Sequence, residues 1–373
     1  MEKFNLIVTT TFGIEAVTKK ELEKLSYKNL MVENGKLRLS GNVCDIAVLN
    51  TWLRTADRVL IEMGEFGATS FEALFDQVAS INWAGLIPAD GKMHVVGKSI
   101  KSALYSVSDC QAIVKRAIVK SMSKSYGIDH FSEAGPVYKI EVALLKDVVT
   151  LSVDTSGDGL HKRGYRTNAG DAPLKETLAA ALVMMSRWKY NQPLIDPFCG
   201  SGTILIEAAM FARNLAPGLK RSFVCETWPG FEAAIFAQVR QEAKNKEFTE
   251  KNYQLIGYDV DAKVLQLAKE NATLAGVNEL IAFTQRDFAD FASNIETACI
   301  VTNPPYGKRL ADDANVRKLN ALIGDLRDQH PHWNINVFTA FGGFERDFGE
   351  EASKNRKLYN GRILTRFYQY YAM

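Results

Sequence analysis

The chain has 373 residues, 47% of them hydrophobic and 24% charged, with a formal net charge of +2. This length allows two or three domains of ordinary globular composition, and the near-neutral charge excludes bulk charge as a means of holding nucleic acid, so any basic surface must be local. Five scattered cysteines without a CxxC pair exclude a zinc ribbon and a disulfide framework, which fits a reducing cytoplasm. The histidines form no HExxH pattern, so no metal is expected. The start is too short and polar for a signal peptide, and no run of about 18 apolar residues is present, so neither secretion nor a membrane span is expected.

Residues 4–9 read as a strand and residues 14–25 as a helix with Val17, Leu22 and Leu25 along one side. Residues 30–39 read as strands broken at Asn34-Gly35, a hairpin signal. A helix over 42–52 and a strand over 57–66 complete a small α+β module, taken as residues 1–65. A second module, residues 66–155, follows. Ser70 is placed to cap a helix over 71–81, a strand covers 93–97 and a helix covers 108–126. Residues 137–145 and 148–154 pair as a hairpin across Lys146-Asp147.

One charge pattern stands out. Between residues 98 and 124, Lys98, Lys101, Lys115, Arg116, Lys120 and Lys124 are set against one acid, Asp109. Arg116, Lys120 and Lys124 recur four residues apart and share one helical face. That face reads either as a contact for phosphates or as an ordinary solvated helix side.

Residues 155–173 carry four glycines and few aliphatic side chains, which predicts a domain boundary, with a linker at 156–172. Within it, His161, Lys162, Arg163 and Arg166 are candidates for binding phosphates. Asp171 and Pro173 read as the start of a helix running to about 188.

The second half, residues 173–373, carries the chemistry. A strand ends in Asp196, and Cys199-Gly200-Ser201-Gly202-Thr203 turn into a helix. Glycines there let the backbone approach a ligand, and the helix N-terminus offers free N–H groups. The spacing fits neither the dinucleotide fingerprint nor a Walker A loop. Asp196 suits a cationic amine rather than a pyrophosphate. A second strand ends in Asp259, placed to accept hydrogen bonds from ribose hydroxyls, with Asp261 as a rival that reads equally as a helix cap. A third ends near Asp287, either a contact to an adenine amine or a turn acid. A fourth, Ile300-Val301-Thr302, stops at Asn303-Pro304-Pro305-Tyr306, because two prolines cannot continue a strand. That corner offers the Asn303 side-chain oxygen and the Pro304 carbonyl as acceptors for a planar NH2 group, and Tyr306 as a stacking ring. Lys308 and Arg309 behind it read as a phosphate grip or a solvated helix start. Cys199 reads as a small buried residue rather than a nucleophile. The succession predicts a doubly wound α/β sheet with every motif at the carboxyl ends of its strands, where such sheets bind ligands.

The basic helix and the terminal LSVDTSGDGLHKRGYR resemble the THUMP domain and the ferredoxin-like module that precedes it in RNA-modifying enzymes. LHKRGYR, APLKETLAAAL, DPFCGSGTILIEAA, GYDVDAKVLQLAKENA, VTNPPYGKRL and KLYNG resemble the THUMP-bearing 23S ribosomal RNA guanine-N2 methyltransferases, a class I (Rossmann-like) family. The resemblance implies S-adenosylmethionine as donor, held by Asp196, Cys199, Gly200, Gly202, Thr203, Asp259, Asp287 and Asn303. Asn303, Pro304 and Tyr306 would be catalytic. RNA would be the partner, held through Lys98, Lys101, Arg116, Lys120, Lys124, Lys162, Arg163, Arg166, Lys308 and Arg309. The family also carries an insertion like residues 214–248, expected to give helical cover and RNA contact. KLYNG reads as a turn before the final strands. The alternatives are a transfer RNA guanine-N2 methyltransferase, an adenine-N6 or release-factor glutamine methyltransferase, since these also carry Asn-Pro-Pro-Tyr, and a non-catalytic RNA assembly factor.

Overall fold

The computed structural model describes residues 2–166, 174–249, 253–305 and 313–373. Its N-terminal half holds β1 (Phe4–Thr10), α1 (Glu15–Lys24), β2 (Met31–Glu33), β3 (Lys36–Gly41), α2 (Val43–Trp52), β4 (Ala56–Gly67), α3 (Phe71–Ser80), β5 (Lys92–Ile100), α4 (Val107–Tyr126), β6 (Val137–Leu145) and β7 (Val148–Asp154). The expected punctuation is in place. The Ser70 hydroxyl accepts the Ala73 N–H at the start of α3, and Lys146 and Asp147 both take positive φ in the hairpin turn. The two sequence modules share one seven-stranded sheet, ordered β2-β3-β1-β4-β7-β6-β5. The long β4 joins them, pairing with β1 on one side and β7 on the other. All pairs are antiparallel except β5 with β6.

The C-terminal half holds α5 (Glu176–Met185), β8 (Leu194–Asp196), α6 (Thr203–Ala212), α7 (Ala233–Asn245), β9 (Leu255–Asp259), α8 (Ala262–Ala275), β10 (Ile281–Gln285), β11 (Cys299–Thr302), α9 (Asp313–Gln329), β12 (Asn334–Thr339), α10 (Phe344–Phe348), β13 (Lys354–Asn360) and β14 (Ile363–Tyr370). Its sheet order is β10-β9-β8-β11-β12-β14-β13, parallel from β10 to β12 and closed by an antiparallel hairpin. This is the predicted doubly wound Rossmann-like sheet. β8 and α6 are short apolar segments buried along most of their length, as a parallel strand and helix covered on both sides must be. Two local readings need correction. Lys357, Leu358 and Tyr359 lie in β13, and the turn falls at Gly361. α5 begins at Glu176 with Lys175 in the cap position, while Asp171 and Pro173 lie outside the described residues.

The joint between the halves is packed rather than a loose tether. Thr155, Ser156, Leu160, Arg163 and Tyr165 are all buried. Asn50 donates to Thr155 Oγ1 (3.0 Å) and accepts from the Ser156 hydroxyl (2.6 Å), while Ser156 Oγ also receives the Val59 N–H (2.9 Å). Gly157 and Gly164 take the positive φ of its turns, and small polar side chains satisfy the backbone they bury.

The insertion over 214–248 locks the halves further. Phe223, Cys225, Trp228, Phe231 and Phe236 enter the core of the N-terminal half. Trp228 stacks on Tyr138 at 4.5 Å and donates its indole N–H to the Val137 carbonyl (3.0 Å). Its apolar face covers the neighbouring half, as expected of helical cover. No helix among the described residues is long and apolar enough to cross a membrane.

Candidate active site

The strand ends bring the chemistry together. β8 lies between β9 and β11, and the chain reverses its order across the sheet between β8 and β11. Asp196 ends β8 and Asp259 ends β9, and Thr302 ends β11 directly before Asn303. A cleft at such a switch point is where a doubly wound sheet receives a ligand.

The turn after β8 is held in a form only glycine accepts. Gly202 takes φ +80 at the cap of α6, and a Cβ there would sit 3.1 Å from Phe283 and 3.2 Å from Ala268. At Gly200 a Cβ would meet nothing within 4 Å, so that side of the turn is open. Three bonds fix the loop. The Cys199 N–H donates to the Tyr258 carbonyl (2.9 Å), the Gly200 N–H to Asp259 Oδ2 (3.0 Å), and Asn271 Nδ2 to the Ser201 carbonyl (3.1 Å). No side chain caps α6, so its first N–H groups are available to a ligand.

Asp196 is 1% exposed and accepts from the Thr302 hydroxyl (2.6 Å) and the Phe198 N–H (3.2 Å). Burial, with the nearby Asp259 adding to it, pushes its carboxyl up to about 7. A buried carboxylate so penalised gains most from a cation, which fits the ammonium of a methionine moiety. Cys199 is also buried. Burial first, then the charges of Asp196 and Asp259, pushes its thiol far above the ordinary range, which disfavours the thiolate that a nucleophile needs. Its sulfur helps close the space over Gly257 of β9, where a Cβ would stand 2.6 Å from Leu205, 2.8 Å from Phe283 and 3.1 Å from the Cys199 sulfur.

Asp259 keeps its two oxygens on the Gly200 and Asp261 N–H groups, and Asp261 caps α8 through the Lys263 and Val264 N–H groups. Of the two acids, Asp259 faces the glycine turn and Asp261 serves the helix. Asp287 is exposed and accepts the Ala289 N–H (2.9 Å), the turn arrangement. Asn303 presents a buried Oδ1 with no hydrogen-bond partner among the described residues. An unsatisfied buried acceptor costs about 1–3 kcal/mol, so it marks a place for a donor from outside. Pro304 is buried beside it. Tyr306, Lys308 and Arg309 lie outside the described residues.

The basic candidates divide. Arg116, Lys120 and Lys124 are exposed on α4 and enter no ion pair among the described residues. Lys101 is exposed at a loop position of positive φ. Lys98 pairs with Glu141 (2.6 Å) and Lys162 with Asp158 (3.0 Å), both at the surface. Arg163 is not a phosphate ligand. It is 3% exposed, and its guanidinium donates to the Leu160 and Arg54 carbonyls and faces Glu207. Arg166 is likewise committed, to the Leu174 carbonyl, to Glu176 and to the Thr203 hydroxyl at the head of α6.

Three contributors escape the sequence reading. Thr302 looks like one more β-branched strand residue, yet it orients Asp196. Asn271 sits mid-helix in α8 and anchors the turn. Gly257 sits inside a strand, where a glycine signals close approach; that signal was readable.

A sheet of this order, with a glycine turn and acids on adjacent strand ends at the switch point, defines a class I methyltransferase. The chain belongs to the RMKL-like methyltransferase family, whose domain model matches residues 163–369. An RlmL-type ferredoxin-like domain matches residues 5–60 and a THUMP domain residues 68–154. The chain is 44% identical over its whole length to "Putative RNA methyltransferase YpsC" of Bacillus subtilis, covering 97% of that protein. Among solved structures, "SMU.472, a putative methyltransferase complexed with SAH" is 40% identical, with 100% of this chain and 99% of that one covered at a TM-score of 0.94. A Listeria monocytogenes structure named a "predicted N6-adenine-specific DNA methylase" is 46% identical, with 100% and 97% covered at a TM-score of 0.94. S-adenosylmethionine is the methyl donor of the family, as expected from the sequence, and the buried carboxylate, glycine turn and uncapped helix described above fit it.

Proposed function

We propose that this protein transfers the methyl group of S-adenosylmethionine to the exocyclic N2 amine of a guanosine in RNA, and that the RNA is 23S ribosomal RNA. The observation that carries the reading is the buried Asn303 Oδ1 just after β11, which has no hydrogen-bond partner among the described residues and lies one strand from the glycine turn.

The donor supplies a methyl already activated on a sulfonium, so the chain has to position an amine. The lone pair of a guanine or adenine amine is delocalised into its ring. Asn303 Oδ1 and the Pro304 carbonyl accept one N–H each, which draws nitrogen toward tetrahedral geometry and turns its lone pair on the methyl. The same acceptors stabilise the positive charge that grows on nitrogen. Asp196 holds the donor's ammonium, Asp259 its ribose hydroxyls and Asp287 its adenine edge. Tyr306, by its place in the motif, stacks on the target base, a contact worth about 1–3 kcal/mol. A base in a stem must be flipped out to reach this corner.

RNA is supported by the THUMP match, the exposed Arg116–Lys120–Lys124 face and the name of the Bacillus relative. Ribosomal RNA is supported by the RlmL-type first domain. The name of the Listeria relative favours a second reading, adenine N6 in DNA, because the same corner accepts either amine. Nucleoside mass spectrometry of RNA and DNA from a strain lacking the gene decides among these. The expected result is loss of one N2-methylguanosine from large-subunit RNA; an unchanged ribosomal profile with a lost methylation in transfer RNA or DNA overturns the assignment.

A further inference from the structure

A cavity of about 800 Å³ lies at the joint of the two halves, walled by the segment after β7, the start of α5 and the first part of the insertion. Six basic side chains line it, Lys162, Arg163, Arg166, Lys175, Lys220 and Arg221, against two acids, Asp158 and Glu176. Three of the six are spent. Lys162 pairs with Asp158, Arg163 faces Glu207 and Arg166 pairs with Glu176. The other three form no ion pair among the described residues. Lys175 is half-buried and lies within electrostatic reach of Asp57 without forming an ion pair with it. Among the described residues, Lys220 donates to the Leu274 carbonyl alone (2.6 Å). Arg221 donates to four carbonyls, those of Ser156, Asp158, Gly159 and Lys162, and to no carboxylate among the described residues.

Carbonyls fix the Arg221 guanidinium in place without a carboxylate in direct contact, and Asp158 and Asp154, which act on it from a distance, are themselves paired with Lys162 and Arg58. Gathering three such cations on one recess is unfavourable in the free protein and is repaid by an anion. The effect reaches His161 on the same wall, whose imidazole is pushed down to about 4 by burial and by Lys175, Arg163 and Lys162.

We propose that this cavity holds a backbone phosphate of the substrate RNA, with Lys175, Lys220 and Arg221 as its contacts, and so fixes the strand between the N-terminal half and the methyl-transfer site. The inference rests on the reading of RNA as substrate. The recess is far larger than a single phosphate and suits a nucleotide-length segment of chain. It lies at the joint between the halves, so an RNA lying across them passes over it. Its wall also touches the donor site, since Arg166 reaches the Thr203 hydroxyl at the head of α6. Arg221 is pre-organised and needs no ordering on binding; the two lysines supply the mobile charges.

The test uses the full-length protein and a fluorescent, unmodified hairpin of large-subunit ribosomal RNA. Affinity is measured across a salt series for wild type, for Lys175→Gln with Lys220→Gln, and for Lys175→Arg with Lys220→Arg. The glutamine pair is expected to bind RNA about tenfold more weakly at physiological salt, with the slope of log affinity against log salt reduced by about one. The arginine pair should restore both. Affinity for S-adenosylhomocysteine, by calorimetry, should stay at the wild-type value in each, which separates lost phosphate contact from a damaged fold. An unchanged RNA affinity and salt slope in the glutamine pair, while wild type methylates the RNA, overturns this inference and leaves the proposed function standing. Inorganic phosphate binding that is lost in the glutamine pair without any change in RNA affinity marks a free-anion site and also overturns it. A wild type that methylates DNA but not RNA overturns both readings.

Discussion

The two halves each build a seven-stranded sheet and use it in opposite ways. The N-terminal sheet is antiparallel but for one pair, and its charged groups settle accounts with one another. Arg38 bonds Glu33, Glu62 and Glu65, Arg58 bonds Asp154, and Lys98 bonds Glu141. It also carries an exposed basic face on α4, whose Arg116, Lys120 and Lys124 enter no ion pair among the described residues. The C-terminal sheet is parallel through five strands, so their carboxyl ends point one way and their terminal side chains converge. There the unpaired groups are buried: a carboxyl held near neutrality at Asp196 and an orphan oxygen at Asn303. On the proposed reading, the first half offers solvated charge that binds by electrostatics, and the second stores desolvated groups that bind by completing a deficit.

That contrast can be broken in descending order of effect. Asn303→Ala removes the acceptor that the proposed function assigns to the target amine. The expected loss in kcat is about 100- to 1,000-fold, by analogy with deleting one aligned hydrogen-bonding group from a transition-state site. Affinity for S-adenosylhomocysteine should change little, and near-normal turnover would show that the corner is not the catalytic site. The exposed face should respond more gently. Replacing Arg116, Lys120 and Lys124 by glutamine is expected to weaken RNA binding by about 10- to 100-fold and to flatten its salt dependence by about two or three in slope. Salt titration of RNA binding checks this, and no change would mean that the face is only solvated.

The smallest effect concerns Asp196. Burial raises its carboxyl, so in the folded chain its ionised form is the costly one. That cost is absent below the ordinary value of 3.8, grows as pH rises and is complete above about 7. Asp196→Asn should therefore raise the Tm of the donor-free protein at pH 8, by about 2–4 °C for each kcal/mol recovered, and leave it unchanged near pH 3.5. In wild type the affinity for S-adenosylhomocysteine should weaken as pH falls through about 7, approaching tenfold per unit, as one linked proton requires. Thermal melts and calorimetry over that range test both; flat profiles would show that Asp196 does not answer to a cation.

Much of this architecture was legible because local rules decided it. The Asn34-Gly35 hairpin, the Ser70 cap, the Lys146-Asp147 turn and the four strand-end motifs each depend on a few adjacent residues. The missed features depend on distant ones. Nothing near β4 announces that it pairs with β7 and fuses the two modules into one sheet. Arg163 and Arg166 sit among glycines and basic residues, so they read as phosphate ligands until the structure supplies Glu207 and Glu176 as buried partners. The insertion looks like a methyltransferase feature, but Trp228 belongs to the core of the other half. The turn at Gly361 was within reach, since Asn360-Gly361 carries the same hairpin signal that worked at Asn34-Gly35.

The most direct test of the account is the identity of the amine that Asn303 receives. Purified protein is incubated with isotope-labelled S-adenosylmethionine and unmodified large-subunit ribosomal RNA, and the digested nucleosides are analysed by mass spectrometry. The account predicts label in N2-methylguanosine, and none with Asn303→Ala. Label in N6-methyladenosine, or label that survives Asn303→Ala, would contradict it.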